Sequence, residues 1–530
     1  MHCLAGVMNS VLRSWLCLGL LARGMAATAA ARGPVAPYET AAPAAAASPI
    51  DELVFGRLKD LRIVPAFFCS DEVFLRRAFL DVVGVLPTRE EARAFLDDPR
   101  PDKRARLIET LLARDEFVDY WAMKWADRLR LKAEFPIRLW PKSAQAYHRW
   151  IAGCLAENRP YDRMARELLL ATGSSYYAPE VNFYRAMQQR DATNIARTVA
   201  LTFMGVRAER WPADRLADLA AFFSRVAFKG TSEWKEEIVY LDPLKAAPAR
   251  ARLPDGTEVA LPPDGDPRAV LVEWLVSGKN PWFARHMANR LWYELFGRGI
   301  VHEPDDMRPD NPPVHPALLA YLERELVSSG WDMRHVLRLI LRSRTYQLSA
   351  IPRASDPRAA AHFAVYPLRR LEAEVLSDAL CRVTGVPERY VSPVPEPYTY
   401  LPEEMRTVAL PDGNSTSAFL ELFGRPARDT GLAAERDNAD GAEQRRHLLN
   451  SSHVHDKLAR SPVLLALASQ TQQPGELVEA VYLTVLSRRP TALELKALAD
   501  YRDRSGLRGR ELLTDLVWAL INGEEFLYRH

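Results

Sequence analysis

Apolar residues recur at three- and four-residue steps through most of this chain, the spacing of amphipathic α-helices. Leu53, Val54, Leu58 and Leu61 form one such stripe, and Phe74, Leu75, Ala78 and Phe79 form the next over 71–84. Thr88-Arg-Glu-Glu91 has capping-box form ahead of Ala92 and Phe95. Asp102 is placed to cap a helix through Leu107, Leu111 and Leu112. The helix expected over 115–132 is aromatic, with Phe117, Tyr120, Trp121 and Trp125 on one side as core. Helices are also expected from Ser143 past Tyr147 and Trp150, from Pro160 to Gly173, and over 194–206 and 213–226. Later ones cover 316–328 and 332–348, another starts at Pro367, and three close the chain. Prolines break the pattern at 134–141, and 387–414 is irregular, long enough for a functional or covering loop.

The clearest β pattern is Arg252 to Leu261, where Asp255-Gly256 makes a tight turn between short extended arms. The fold class is therefore all-α: two packed multi-helix domains, 49–245 and 266–530, with a short β-hairpin at their junction in 246–265.

Residues 280–316 stand out. Asn280-Pro281 puts proline at an early helical position, and Phe283, Met287, Leu291 and Leu295 form an apolar arc. His286, Asn289 and Tyr293 stack as a polar ridge on the other arc, with Arg290 counted beside them. Gly297 and Gly299 end the helix. The loop from Glu303 to His315 carries Asp305, Asp306, Arg308, Asp310 and Asn311 among four prolines, so it is stiff. Stiff polar loops on helical scaffolds often hold sites. Its carboxylates either cap helix ends and pair locally, or face a ligand with His315 for acid–base work or a hard metal. Arg425, Arg428, Glu435 and Arg436 form a second cluster, able to grip a carboxylate or sulfate or to cross-link the domains. His453 and His455, with His447, read as a satisfied helix-end pair before a metal site.

Among 530 residues, 26% charged with a net charge of +2, there is no field to steer toward nucleic acid. The N-terminus has the form of an export signal over 1–31: Arg13, then an apolar run from Trp15 to Leu21, then small residues from Ala26 to Ala31. An Ala/Pro-rich flexible linker is expected over 32–48. The mature chain carries no expected membrane span, and its Cys69, Cys154 and Cys381 form no paired framework. Nucleophile elbow, phosphate loop, dinucleotide fingerprint and HExxH are missing from the sequence.

Several longer motifs are specific: FLRRAFLDVVGVLPTREEARAFL, LTFMGV and LAAFF, then NPWFARHMANRLWYELFGRGIV, RPDNPPVHPALL, LILRSRTYQLS, FGRPARDT and WALINGEEFL. In these the chain resembles the planctomycete cytochrome c-associated family, a PSCyt-type domain of unknown function followed by a PSD-type partner. The resemblance implies an exported protein, often joined to a haem c domain. It also implies a CxxCH-like motif after LTFMGV and a cysteine-bearing stretch after FGRP. Here Met204-Gly-Val-Arg207 runs into Ala208-Glu-Arg-Trp211, and Thr430-Gly-Leu-Ala-Ala-Glu435-Arg436 holds no cysteine. Arg, Ala and Leu do not replace soft ligands. No haem c, other cofactor or metal is therefore expected.

Two functional classes follow. The first is a periplasmic or secreted binding or accessory scaffold that has lost its relatives' haem or metal centre. The alternatives are an exported enzyme on polysaccharide-derived substrates, using the polar loop and arginine cluster, and a redox partner in a cytochrome c-linked system. The expected partners are a carbohydrate, a small anionic ligand or another exported protein.

Overall fold

In the computed structural model the described residues are 32–41, 45–133, 139–233, 236–278, 280–394, 399–415, 417–470 and 473–530. The export signal expected over 1–31 and most of the proline break at 134–141 lie outside them.

The fold is mostly helical, and its helices start where the sequence supplies caps. Ser48 accepts from Asp51 N–H at the head of Pro49–Leu61, and Ser70 from Val73 N–H at the head of Asp71–Val82. Thr88 and Glu91 close the capping box of Arg89–Asp97. Asp102 precedes Lys103–Leu112 but makes no side-chain cap bond; it pairs with Arg106 at 2.7 Å instead. The aromatic helix Asp115–Arg128 packs along Pro141–Ala156, and Phe283–Phe296 lies against Pro316–Ser328 and Met333–Arg342.

Strands correct the all-α expectation. Val226–Gly230 pairs antiparallel with Glu237–Leu241, whose other edge takes Gly173–Ser174. The helix expected over 213–226 stops at Ala221, and Val226 opens the strand. The β-branched and aromatic residues of Val226-Ala-Phe and Ile238-Val-Tyr suit a half-buried pleat, and Val239 is buried at its centre. The junction hairpin forms with Arg250–Arg252 against Glu258–Ala260. The helix expected over 194–206 is an α-helix only over Ala192–Val199, then a π-helical turn over Ala200–Met204 that Gly205 ends at φ +63°.

The linker expected to be flexible over 32–48 is held to the body across residues 32–41. Arg32 pairs with Glu39 and donates to Ile351 O at 2.8 Å, and Glu39–Thr40 pairs antiparallel with Phe68–Cys69. Cys69 and Cys154 are buried free thiols and Cys381 is a half-buried one. None of the helices among the described residues is long and apolar enough to cross a membrane.

The two halves share one continuous apolar core running from Ile50 to Leu527. Helix Asp71–Val82 is buried on nearly every face, arginines included. Arg76 donates to Val485 O and Phe526 O, both at 2.9 Å, and Arg77 to Leu348 O and His530 O, also at 2.9 Å. These guanidinium groups from the first half donate to carbonyls of the second, while Arg76 Nε and Arg77 Nη2 have no partner among the described residues.

Candidate functional site

On the helix Phe283–Phe296 the polar ridge faces inward: His286 and Asn289 are fully buried and Arg290 nearly so. Each found a partner inside. Asn289 Oδ1 accepts from Val301 N–H at 2.9 Å and its Nδ2 donates to Val301 O at 3.0 Å, tying the chain after the helix back onto it. Arg290 reaches Asp305 Oδ1 and Glu294 Oε1, both at 3.0 Å. His286 Nδ1 lies 3.2 Å from Arg128 Nη2. Arginine only donates, so Nδ1 accepts and the proton sits on Nε2, 3.9 Å from Asp305 Oδ1. Burial, with Arg128 adding to it, pushes the imidazole down to about 4, so His286 is neutral. Burial alone would raise the Asp305 carboxyl, but Arg290 and His286 hold it well below the usual carboxylate range.

Asp305 is the hinge of the arrangement. Its Oδ2 accepts from Ala433 N–H at 2.6 Å, so the 303–315 loop meets the 425–436 segment there. Asp306 turns the other way, to Arg210 and Arg308, each at 3.2 Å. Arg428 and Arg436 both clasp Asp127 of the first half, at 2.8 and 2.6 Å, and Arg436 also holds Glu374 at 2.6 Å.

The other candidates sit apart from that cluster. His315 caps Pro316–Ser328, accepting from Leu318 N–H, and donates to Leu53 O at 2.9 Å. Asn311 donates to Asp306 O, and Arg308 is an exposed partner of Asp306 and Asp310. Glu435 gathers the N–H groups of Asp429, Thr430 and Gly431, which shapes its own loop. Arg425 is half-buried, with Nη1 unpartnered among the described residues. His453 binds Glu388 at 2.6 Å and lies 3.3 Å from His447, while His455 is exposed. Among the described residues no group of three metal-ligating side chains is poised around one point.

Beside the Asp305 cluster opens a polar cleft of about 410 Å³ between the two halves. Of the candidates, Arg290 and Arg436 line it. The others on its wall went unforeseen: Lys124, Asp127 and Arg128 from the first half, Glu294, Arg369, Arg370 and Glu372 from the second, and Arg529 near the end of the chain. The two-residue pairing of Arg369–Arg370 with Tyr528–Arg529 brings the last three arginines together. The available signal was the placing of Lys124, Asp127 and Arg128 at the end of the aromatic helix Asp115–Arg128.

Most of these charges are matched. Lys124 binds Glu372 at 2.6 Å and Glu294 at 3.3 Å, Arg369 binds Asp81 at 2.7 Å, and Arg529 joins Asp81 and Glu372 at 3.1 and 2.5 Å. Arg128 differs, because its partners are the neutral Thr202 O, His286 and Met287. Counting every ion-pair partner of the wall cations gives nine cations (Arg428 and Arg445 included) to seven carboxylates. The region carries excess positive charge.

A family model described as PSCyt2, protein of unknown function (DUF1549), matches residues 49–226, and one described as PSD1, protein of unknown function (DUF1553), matches 267–502, in that order. The chain belongs to the paired PSCyt2–PSD1 family. Neither a curated protein nor a solved structure matches it. In this PSCyt2–PSD1 chain the cleft lies where the two family regions meet. The segments that the resemblance marks for cysteine motifs flank one turn: Arg210 of the first contacts Asp306, and Ala433 of the second contacts Asp305.

Proposed function

We infer that this PSCyt2–PSD1 chain is an exported accessory protein that holds a small anionic ligand in the cleft between its two halves. The single observation that carries the reading is the cation excess along a cleft of about 410 Å³, a size suited to a small molecule. Desolvated guanidinium groups without matching carboxylates favour an incoming anion, which gains charge-assisted hydrogen bonds there. The 283–296 helix and the 425–436 segment supply Arg290 and Arg436 to the cleft wall, and the 303–315 loop meets both at Asp305 beside it, which supports a site at this place. The Arg, Ala and Leu side chains in the two altered segments support a scaffold no longer committed to haem or a soft metal.

The test is calorimetric titration and thermal unfolding of the purified chain with acetate, citrate and inorganic sulfate at low ionic strength. A ligand at a hundred times its Kd stabilises the native state by about 2.7 kcal/mol, and added salt should weaken the effect. Absence of both heat and stabilisation at millimolar anion would sink the reading. A Soret band with covalently attached haem in material from the periplasm would sink the scaffold part separately.

A further inference from the structure

The cleft offers more than positive charge, and its unspent hydrogen-bonding groups narrow the ligand. Arg370 is 5% exposed, stacks over the Phe423 ring at 5.2 Å, and uses only Nη1, on Asp440, Ala439 O and Gln444. Its Nε and Nη2 have no partner among the described residues. Nearby on the same wall, Asn438 Oδ1 is a buried acceptor, likewise unpartnered among the described residues. A buried donor pair and a buried acceptor left open together cost free energy that a ligand can recover. The acceptor calls for a hydroxyl or amine on the ligand, and the donors for an oxyanion. Tyr293 and Tyr528 also line the cleft, and Leu368 is 60% exposed at its wall, which offers faces to the apolar side of a ring.

We propose that the cleft binds an anionic sugar of monosaccharide size, its acid group held by Arg370 and a ring hydroxyl donating to Asn438. This rests on the anion-binding reading above and names its ligand class. A carboxylate and a sulfate ester present the same oxyanion chemistry to a guanidinium group, so both sources are tested.

The experiment compares galacturonate, glucose 6-sulfate, glucose, acetate and inorganic sulfate by calorimetry on the intact protein and on two variants, Arg370→Met and Asn438→Ala. One of the two anionic sugars is expected to bind at least about tenfold tighter than acetate, inorganic sulfate and glucose, one hydrogen bond being worth about that factor. Asn438→Ala, at a half-buried position, should cost the anionic sugar about tenfold and leave the simple anions unchanged. Arg370→Met should weaken every anion. If acetate or inorganic sulfate binds as tightly as the tighter of the two anionic sugars, the sugar assignment is overturned and the anion reading stands. If no anion binds the unaltered protein, both are overturned. If Asn438→Ala leaves sugar binding unchanged, the assignment of the hydroxyl partner is overturned.

Discussion

Asp127 is the carboxylate on which the two halves turn, and Asp127→Asn tests whether that clasp stabilises the fold. The substitution keeps the volume and removes the charge. It leaves the Arg428 guanidinium, whose side chain is 3% exposed, without a carboxylate partner among the described residues, its charge facing neutral acceptors such as Leu131 O, while Arg436 retains Glu374. Removing one member of a buried ion pair costs about 3–5 kcal/mol. Because Arg436 keeps one anion, the expected loss is about 3 kcal/mol, the low end of that range. Urea unfolding at pH 7, followed by tryptophan fluorescence and far-UV circular dichroism with coincident curves, reads it out. Adding Arg428→Met removes the stranded cation, so the double variant should regain stability, with a coupling of about 1–3 kcal/mol. The pH dependence has a definite sign. Burial raises the Asp127 carboxyl, yet Arg436 and Arg428 outweigh it and the net shift is downward. A depressed folded pKa gives stability that is present above the unfolded value of about 3.9 and lost as pH falls through the folded value. The gap between the native protein and Asp127→Asn should therefore be constant from pH 5 upward and close below pH 4. A loss under about 0.5 kcal/mol, or additive single and double variants, would refute the clasp.

Other substitutions separate structural from ligand-facing roles. His286→Gln should flatten the pH dependence of stability between about 6.5 and 4: the folded imidazole resists a proton that the unfolded one accepts, worth on the order of 3 kcal/mol at acid pH. A parallel pair of pH–stability curves would contradict that. Gly205→Ala places a Cβ 2.5 Å from His286 Cδ2 at a left-handed backbone position, and should cost about 2–5 kcal/mol by thermal unfolding. Asn289→Ala strands both backbone groups of Val301 and should cost about 2–5 kcal/mol, with an unchanged unfolding curve as the contrary result. Arg308→Ala, at an exposed ion pair, should change neither stability beyond about 0.5 kcal/mol nor anion binding.

Helix starts were legible because their causes are local: Ser48, Ser70 and the Thr88–Glu91 box act within one turn. The Asp255-Gly256 turn was legible for the same reason. The sheet at 226–241 was missed because its partner strands are short and follow directly on a helical run. His286 and Asn289 were legible as a polar ridge but not as a buried one, because periodicity distinguishes polar from apolar residues, not a buried polar residue with a partner from an exposed one. Arg369, Arg370 and Glu374 lie close together in the sequence but do not pair with one another. Instead they bind Asp81, Asp440 and Arg436, and no local spacing encodes those long-range choices. The cleft escaped notice for that reason: its walls come from five separate stretches of chain, around 124–128, 290–297, 368–372, 426–440 and 528–529.

The acceptors for Arg76 and Arg77 carry a consequence for how this protein is made. They lie between 269 and 453 residues downstream of the arginines that donate to them. A ribosome releasing the amino-terminal part delivers two cations with no home until residues as late as Phe526 have emerged, so the interior closes only after synthesis has passed them. Fission of the gene into two reading frames would leave one product with stranded guanidinium groups and the other with orphaned carbonyls, a physical reason for both regions to be inherited as one open reading frame.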